Sequence, residues 1–213
     1  VAYDDNDNPF VFIGTRAHED TCAAPCGNPS GHPEYHGSVY FIGEAGFPSS
    51  WSDLNLSCFS TGDYDALAVG CAPDWADSKE TYVVVSSHHQ ERTFVVTTTG
   101  GPCDWPEYAE LFRDCDSNHH DDILYASRIA FPDDFEDTGT MFVGVTDCDY
   151  CEDCLENGNT YGCGGDVYMV MDGSCIDMNV LGISSGCIGI TPVDIISLDI
   201  EGDTEEASLI AGA

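Results

Sequence analysis

The stretch Tyr82-Val83-Val84-Val85-Ser86-Ser87-His88-His89-Gln90-Glu91-Arg92-Thr93-Phe94-Val95-Val96 decides the fold. Two β-branched and aromatic runs flank a polar turn at His88–Glu91, which is the pattern of a β-hairpin. Both runs are apolar at consecutive positions rather than alternate ones. Such strands are buried on both faces and belong in the middle of a sheet.

Outward from this hairpin the chain repeats the theme. Short apolar segments at Pro9–Gly14, Ser38–Gly43, Ile123–Phe131, Thr140–Thr146, Asp166–Met171, Val180–Ile183 and Cys187–Ile200 are separated by Gly, Pro, Asn and Asp. Many short strands punctuated by turns point to a sandwich or barrel. One helix is expected, with Asp104 as N-cap, Pro106 in its first turn, Glu107 three residues after the cap, and Trp105, Tyr108, Leu111 and Phe112 on one face. The terminal segments Pro9–Ile13 and Ala207–Ala211 are apolar. Each fits as a strand in its own sheet, or as a strand added to a neighbour's. No internal repeat is legible. The expectation is an all-β, disulfide-rich antiparallel β-sandwich, jelly-roll or immunoglobulin-like, with one short helix and long acidic loops. It forms a single domain over 1–213, with a Cys/Asp-rich inserted loop at about 146–165.

The 213 residues contain 12 cysteines: Cys22, Cys26, Cys58, Cys71, Cys103, Cys115, Cys148, Cys151, Cys154, Cys163, Cys175 and Cys187. An even number spread along the chain reads as disulfides formed in an oxidising compartment. Neighbour pairing is expected: Cys22–Cys26, Cys58–Cys71, Cys103–Cys115 and Cys175–Cys187, with the 148–163 cluster closing internally. That cluster has thiolate-site spacing for Zn²⁺ or an iron–sulfur centre as its alternative reading. The chain begins at Val1 and reads as a secreted product freed of its signal peptide. No apolar run approaches the roughly 20 residues that span a bilayer, so membrane insertion is not expected.

Asp and Glu total 39 against five Lys and Arg, for a net charge of -34. This field repels nucleic acid and destabilises a compact body by self-repulsion. Bound cations, high salt or cationic partners must offset it. Asp outnumbers Glu 26 to 13, and Asp favours turns and compact oxygen cages, so Ca²⁺ is the expected ion. Candidate ligands are Asp114, Asp116, Asn118 and Asp122; Asp4, Asp5, Asn6 and Asp7; and Asp147, Asp149, Glu152 and Asp153. A fourth acidic group is Asp133, Asp134, Glu136 and Asp137. The first set opens like an EF-hand loop, with oxygen ligands at alternate positions, then departs: His119 stands where that loop has Gly, and Tyr125 where it has Glu. Adjacent histidines at His88-His89 and His119-His120 point apart on extended backbone and chelate poorly.

No catalytic constellation emerges. Gly182-Ile183-Ser184-Ser185-Gly186 matches the nucleophile-elbow pattern, but a strand-like rather than helical segment follows it. Acids are too abundant for a two-carboxylate glycoside hydrolase to be recognised by them. Trp51, Trp75 and Trp105 each lie beside acids, a pairing suited to sugar stacking if exposed. Asn55-Leu56-Ser57 is an N-glycosylation sequon. The expected function is a non-catalytic extracellular structural subunit of a fibre, pilus-like filament or surface layer. Disulfides and Ca²⁺ would stabilise it, copies of itself would be its partners, and its terminal strands would join subunits. The alternatives are an extracellular glycan-binding module or Ca²⁺-dependent lectin, and then the two-carboxylate hydrolase.

Overall fold

The computed structural model describes residues 2–3, 9–15, 37–42, 52–59, 64–87, 92–99, 103–111, 126–146, 167–171, 173–178, 195 and 197–212. They form an antiparallel all-β structure, as expected. Three sheets have four strands and one has two. The first sheet holds β1 (Ala2–Tyr3), β2 (Pro9–Gly14), β3 (Val39–Ile42) and β4 (Ser52–Asp53). The second holds β5 (Tyr64–Cys71), β6 (Thr81–Ser87), β7 (Arg92–Thr98) and β8 (Glu107–Leu111). The third holds β9 (Ala126–Ala130), β10 (Met141–Thr146), β11 (Val167–Met171) and β12 (Ser174–Asp177). The last is the hairpin β13 (Ser197–Glu201) and β14 (Ser208–Gly212). Strands within each sheet are neighbours in chain order. Their connectivity is therefore that of meanders, where jelly rolls and immunoglobulin folds pass between sheets in Greek keys. Both terminal segments pair inside the chain, β2 with β1 and β3, and β14 with β13.

The Val-rich hairpin pairs as its sequence implies, with Val83 opposite Val96, Val84 opposite Val95 and Val85 opposite Phe94. Because successive side chains on a strand point to opposite faces, β6 feeds two cores. Val83 and Val85 join Phe94, Val96 and Trp105 against Val39, Leu54, Leu56, Phe12 and Phe41 of the first sheet and its exit. Tyr82 and Val84 join Val95, Ala109 and Leu111 against Phe135, Met141, Val143, Val145, Tyr168 and Val170 on the third sheet's side. The third sheet repeats this division. Met141 and Val143 face the second sheet, whereas Phe142 and Val167 pack with Ile195, Leu198, Ile200, Leu209 and Ala211 beneath the final hairpin. The sandwich is thus a stack of four layers, and its two middle sheets are buried on both faces.

The layers approach closely where a strand offers no side chain. A Cβ built at Gly70 of β5 would lie 2.9 Å from the Phe131 ring, and one at Gly144 of β10 would lie 2.6 Å from Cγ2 of Ile195. Gly14 of β2 meets Ala66 and Val69 of β5 in the same way.

A repeated unit emerges that the sequence reading did not find. β5 and β6 are joined through Asp74-Trp75-Ala76-Asp77-Ser78-Lys79, and β9 and β10 through Asp134-Phe135-Glu136-Asp137-Thr138-Gly139. Each connection holds a one-turn helix, α1 (Trp75–Ser78) or α2 (Phe135–Thr138), and ends on a left-handed residue, Lys79 or Gly139. Only a few positions are shared (Asp, an aromatic, a second Asp, a hydroxyl), too few to stand out among 26 aspartates.

The helix expected after Asp104 is instead the strand β8, paired along β7 from Thr93 opposite Leu111 to Val96 opposite Glu107. Ala109 and Leu111 are buried and Tyr108 and Glu110 half-buried. The period of two, together with an open edge on β7 to pair with, overrides the capping signals. Small, Ala/Gly-rich β5 was not anticipated, nor were β1, β4 and β12. Val180–Ile183, most of Cys187–Ile200 and the 147–165 part of the expected inserted loop lie outside the described residues.

Neighbour pairing of cysteines is overturned at Cys58 and Cys103, which bond to each other across 45 residues. Cys58 closes the 3-10 turn Leu56–Cys58 that leaves the first sheet, and Cys103 precedes β8 of the second. The bond therefore staples two layers rather than one loop. In the chain-entropy account a loop of this length contributes about 4 kcal/mol. Cys71 and Cys175 carry no disulfide, against expectation. Cys71 ends β5, and the Cys175 thiol donates to the Glu110 carbonyl at 3.1 Å. The other eight cysteines lie outside the described residues. Among the described residues no helix is long and apolar enough to cross a membrane.

The layered packing predicts that Gly144→Val destabilises the protein by ~1–3 kcal/mol through overpacking against Ile195. A urea titration followed by tryptophan fluorescence measures this; an unchanged midpoint would mean the final hairpin does not rest on β10.

Candidate functional site

The chemistry-bearing residues of the described structure gather at the two Asp turns. In the first, the Ser78 hydroxyl donates to Oδ1 of Asp74 at 3.1 Å and accepts the Glu80 N–H at 3.1 Å. In the second, the Thr138 hydroxyl donates to the Asp134 carbonyl at 3.1 Å and accepts the Thr140 N–H at 3.2 Å. Each hydroxyl thus closes its turn and caps the following strand. The aromatic at the start of each helix points inward, Trp75 at 6% and Phe135 at 4% exposure.

The turns differ in what their first aspartate does. At Asp74 the carboxylate stays within its own turn. At Asp134, Oδ1 accepts the Thr204 N–H at 2.9 Å and the Thr204 hydroxyl at 2.7 Å, from the bend between β13 and β14. The Asp133 N–H donates to the Gly202 carbonyl at 3.0 Å. Tyr108 of β8 donates its hydroxyl to the Gly139 carbonyl at 2.6 Å. The second turn is therefore gripped by the second sheet on one side and by the final hairpin on the other. The hydrogen bonds from Thr204 hold the Asp134 carboxyl below its ordinary value, because they favour the charged form.

In the first turn, the Lys79 ammonium sits 4.5 Å from the centre of the Trp75 ring and donates to the Ala76 carbonyl. Trp75 also contacts Phe10 at 4.7 Å and Phe12 at 5.7 Å, and donates from Nε1 to Thr81 Oγ1 at 3.2 Å. Below it, Tyr82 donates to Oε2 of Glu80 at 2.8 Å. Burial and then the Glu80 bond push the Tyr82 phenol far above its ordinary value, so it stays protonated. Burial likewise raises the Cys71 thiol, which keeps it neutral and a poor nucleophile near pH 7.

Of the acidic groups read from the sequence, only Asp133, Asp134, Glu136 and Asp137 fall among the described residues. They do not converge: among the described residues no three His, Cys, Asp or Glu side chains come together as a metal site. Asp134 is turned to Thr204. The candidate ligands Asp4, Asp5, Asn6, Asp7, Asp114, Asp116, Asn118, Asp122, Asp147, Asp149, Glu152 and Asp153 lie outside the described residues, as do both His-His pairs and Gly182–Gly186.

Two of the three candidate sugar-stacking tryptophans are core residues. Trp105 is 5% exposed and donates from Nε1 to the Leu54 carbonyl at 3.0 Å; Trp75 is buried as described. Beside these buried indoles, Asp74 is half-buried and Asp77 and Asp104 are exposed. Trp51 lies outside the described residues. Asn55 of the sequon adopts a left-handed backbone at φ 55° and donates from Nδ2 to the Cys103 sulfur at 3.2 Å. It braces the staple between layers.

The residues missed by sequence reading are the hydroxyls, Ser78, Thr138 and Thr204. Their signal was the hydroxyl four residues after Asp74 and Asp134. Nothing near Thr204 marked it as a partner 70 residues away. No protein family, curated protein or solved structure matches this chain.

The Asp134 latch carries a pH prediction. Its folded value is lowered, so its contribution is complete above the ordinary aspartate range and is lost as pH falls through the folded value. Wild type should melt above Asp134→Ala at neutral pH, and the gap should close on acidification below that range. Melting curves at a series of pH values test this; a gap independent of pH would place the effect elsewhere.

Proposed function

We propose that this chain is a non-catalytic extracellular structural module, a stack of antiparallel sheets stapled by disulfide bonds, with Ca²⁺ neutralising its acidic turns. The observation that carries the reading is the use to which reactive side chains are put. Asp134, Ser78, Thr138, Thr204, Tyr108 and Tyr82 hold turns and layers to one another, and Cys58–Cys103 joins two layers covalently. An oxidising, extracellular setting agrees with that bond.

The charge supports the ionic part. A body carrying -34 gains stability from any cation that binds the folded state and not the unfolded one. Aspartate-rich turns supply the oxygen ligands that Ca²⁺ takes. Association with copies of itself stays part of the reading, since a structural module works by assembly. A glycan-binding role draws less support, because Trp75 and Trp105 are unavailable for stacking.

Thermal melts in EDTA, in CaCl₂, and in NaCl of matched ionic strength separate specific binding from screening. Ca²⁺ at a hundredfold its dissociation constant should add ~2.7 kcal/mol and raise the melting temperature above both controls. Identical melting in all three buffers would remove Ca²⁺ from the account.

A further inference from the structure

Among the described residues the final hairpin is an incomplete layer. β13 lies against β9 as β9 lies against β5, and β14 follows its bend as β6 and β10 follow theirs. In both complete layers the far edge of that second strand is paired, β6 by β7 and β10 by β11. Among the described residues the far edge of β14 pairs with nothing, and its sheet stops at two strands where the others have four.

Among the described edge strands longer than two residues, β14 alone carries no charge; the two-residue edge β1 (Ala2–Tyr3) is also uncharged. The edge strands β4, β5, β8, β9, β12 and β13 each carry a charged residue: Asp53, Asp65, Glu107 and Glu110, Arg128, Asp177, and Asp199 with Glu201. Charge on an edge is the usual guard against pairing with another chain. β14 reads Ser208-Leu209-Ile210-Ala211-Gly212, five residues without charge. Leu209 and Ala211 pack inward on the third sheet, while Ile210 points outward at 66% exposure, the most exposed large apolar side chain described.

We propose that β14 is a strand-pairing edge whose occupant is β14 of a second copy of this chain. The pair is antiparallel about a twofold axis perpendicular to the sheet. This deepens the structural-module reading, on which it rests for its biological sense. The charge pattern selects the occupant. At -34 per chain, two copies repel wherever their acids meet, and β14 is the one edge of more than two described residues where they can meet without apposing carboxylates. A twofold contact needs a surface complementary to itself, which a neutral extended strand provides through its backbone N–H and C=O groups. The product is a four-stranded sheet, β13-β14-β14-β13, with the strand number of the other three. A perpendicular axis keeps both outward faces on one side, so Ile210 lies opposite its symmetry mate or one pair away, within side-chain reach.

Sedimentation equilibrium across a concentration series, in enough salt to screen the net charge, tests the proposal. Wild type should approach twice its 22.9 kDa mass. Ile210→Lys and Ile210→Asp should each sediment as monomers with melting curves like wild type in dilute solution, since Ile210 is largely solvent-exposed. Mixing the two variants should restore the doubled mass, because Lys then faces Asp across the axis. Wild type that stays monomeric throughout overturns the proposal. So does a dimer that survives in both single variants, which would locate the contact elsewhere. Neither result bears on the Ca²⁺-dependent melting that tests the module reading.

Discussion

Two-sided burial of the middle sheets is the constraint from which the rest of the structure follows. Val83, Val84, Val85, Val95 and Val96 are wholly inaccessible to solvent, and no single partner surface can cover both faces of the strands that carry them. A layer is therefore required on each side. The third sheet, itself apolar on both faces at Met141, Phe142, Val143, Val167 and Val170, passes the same demand outward until the β13–β14 hairpin ends it. In that hairpin β13 alternates cleanly, with Leu198 and Ile200 inward and Ser197, Asp199 and Glu201 outward, and β14 keeps Leu209 and Ala211 inward while Ser208 and the apolar Ile210 face outward. Alternation of this kind is what a sheet with one wet face shows.

Charge is accommodated by geometry. Among the described residues most carboxylates lie on turns and outward faces, and Asp134 and Asp53 act as hydrogen-bond acceptors. Asp134 receives two bonds from Thr204, and Asp53 receives the Asn55 N–H at 2.8 Å and the Ser38 hydroxyl; Asp65 on β5 is the buried exception. Arg92 and Glu110 make a cross-strand ion pair at 3.3 Å, half exposed and so worth less than ~1 kcal/mol. Apolar stacking and the Cys58–Cys103 staple carry the fold against the repulsion.

Much of this was legible in the sequence where a residue's role is local. The Val runs announced central strands, and Pro9–Gly14 coincides with β2. What was not legible depends on partners far away in the chain. Asp104, Pro106 and Glu107 are correct signals for a helix start, yet the open edge of β7 makes a strand of the following residues. β5 is hidden because Ala66, Ala68 and Gly70 are small so that neighbouring layers can approach, which removes the bulky apolar signature of a strand. Neighbour pairing of cysteines minimises loop length, whereas the fold brings together Cys58 and Cys103 from different layers. The repeated Asp turn escaped notice because its shared chemistry, a hydroxyl four residues after an aspartate, is common wherever aspartate is common.

Native-state hydrogen exchange read by mass spectrometry tests the two-sided core most directly. Amides of β6, β7, β10 and β11 should exchange only through global unfolding, while those of β4 and β14, each at the edge of an outer layer, exchange faster through local opening. Val83–Val85 amides exchanging as fast as those of β14 would contradict the layered core.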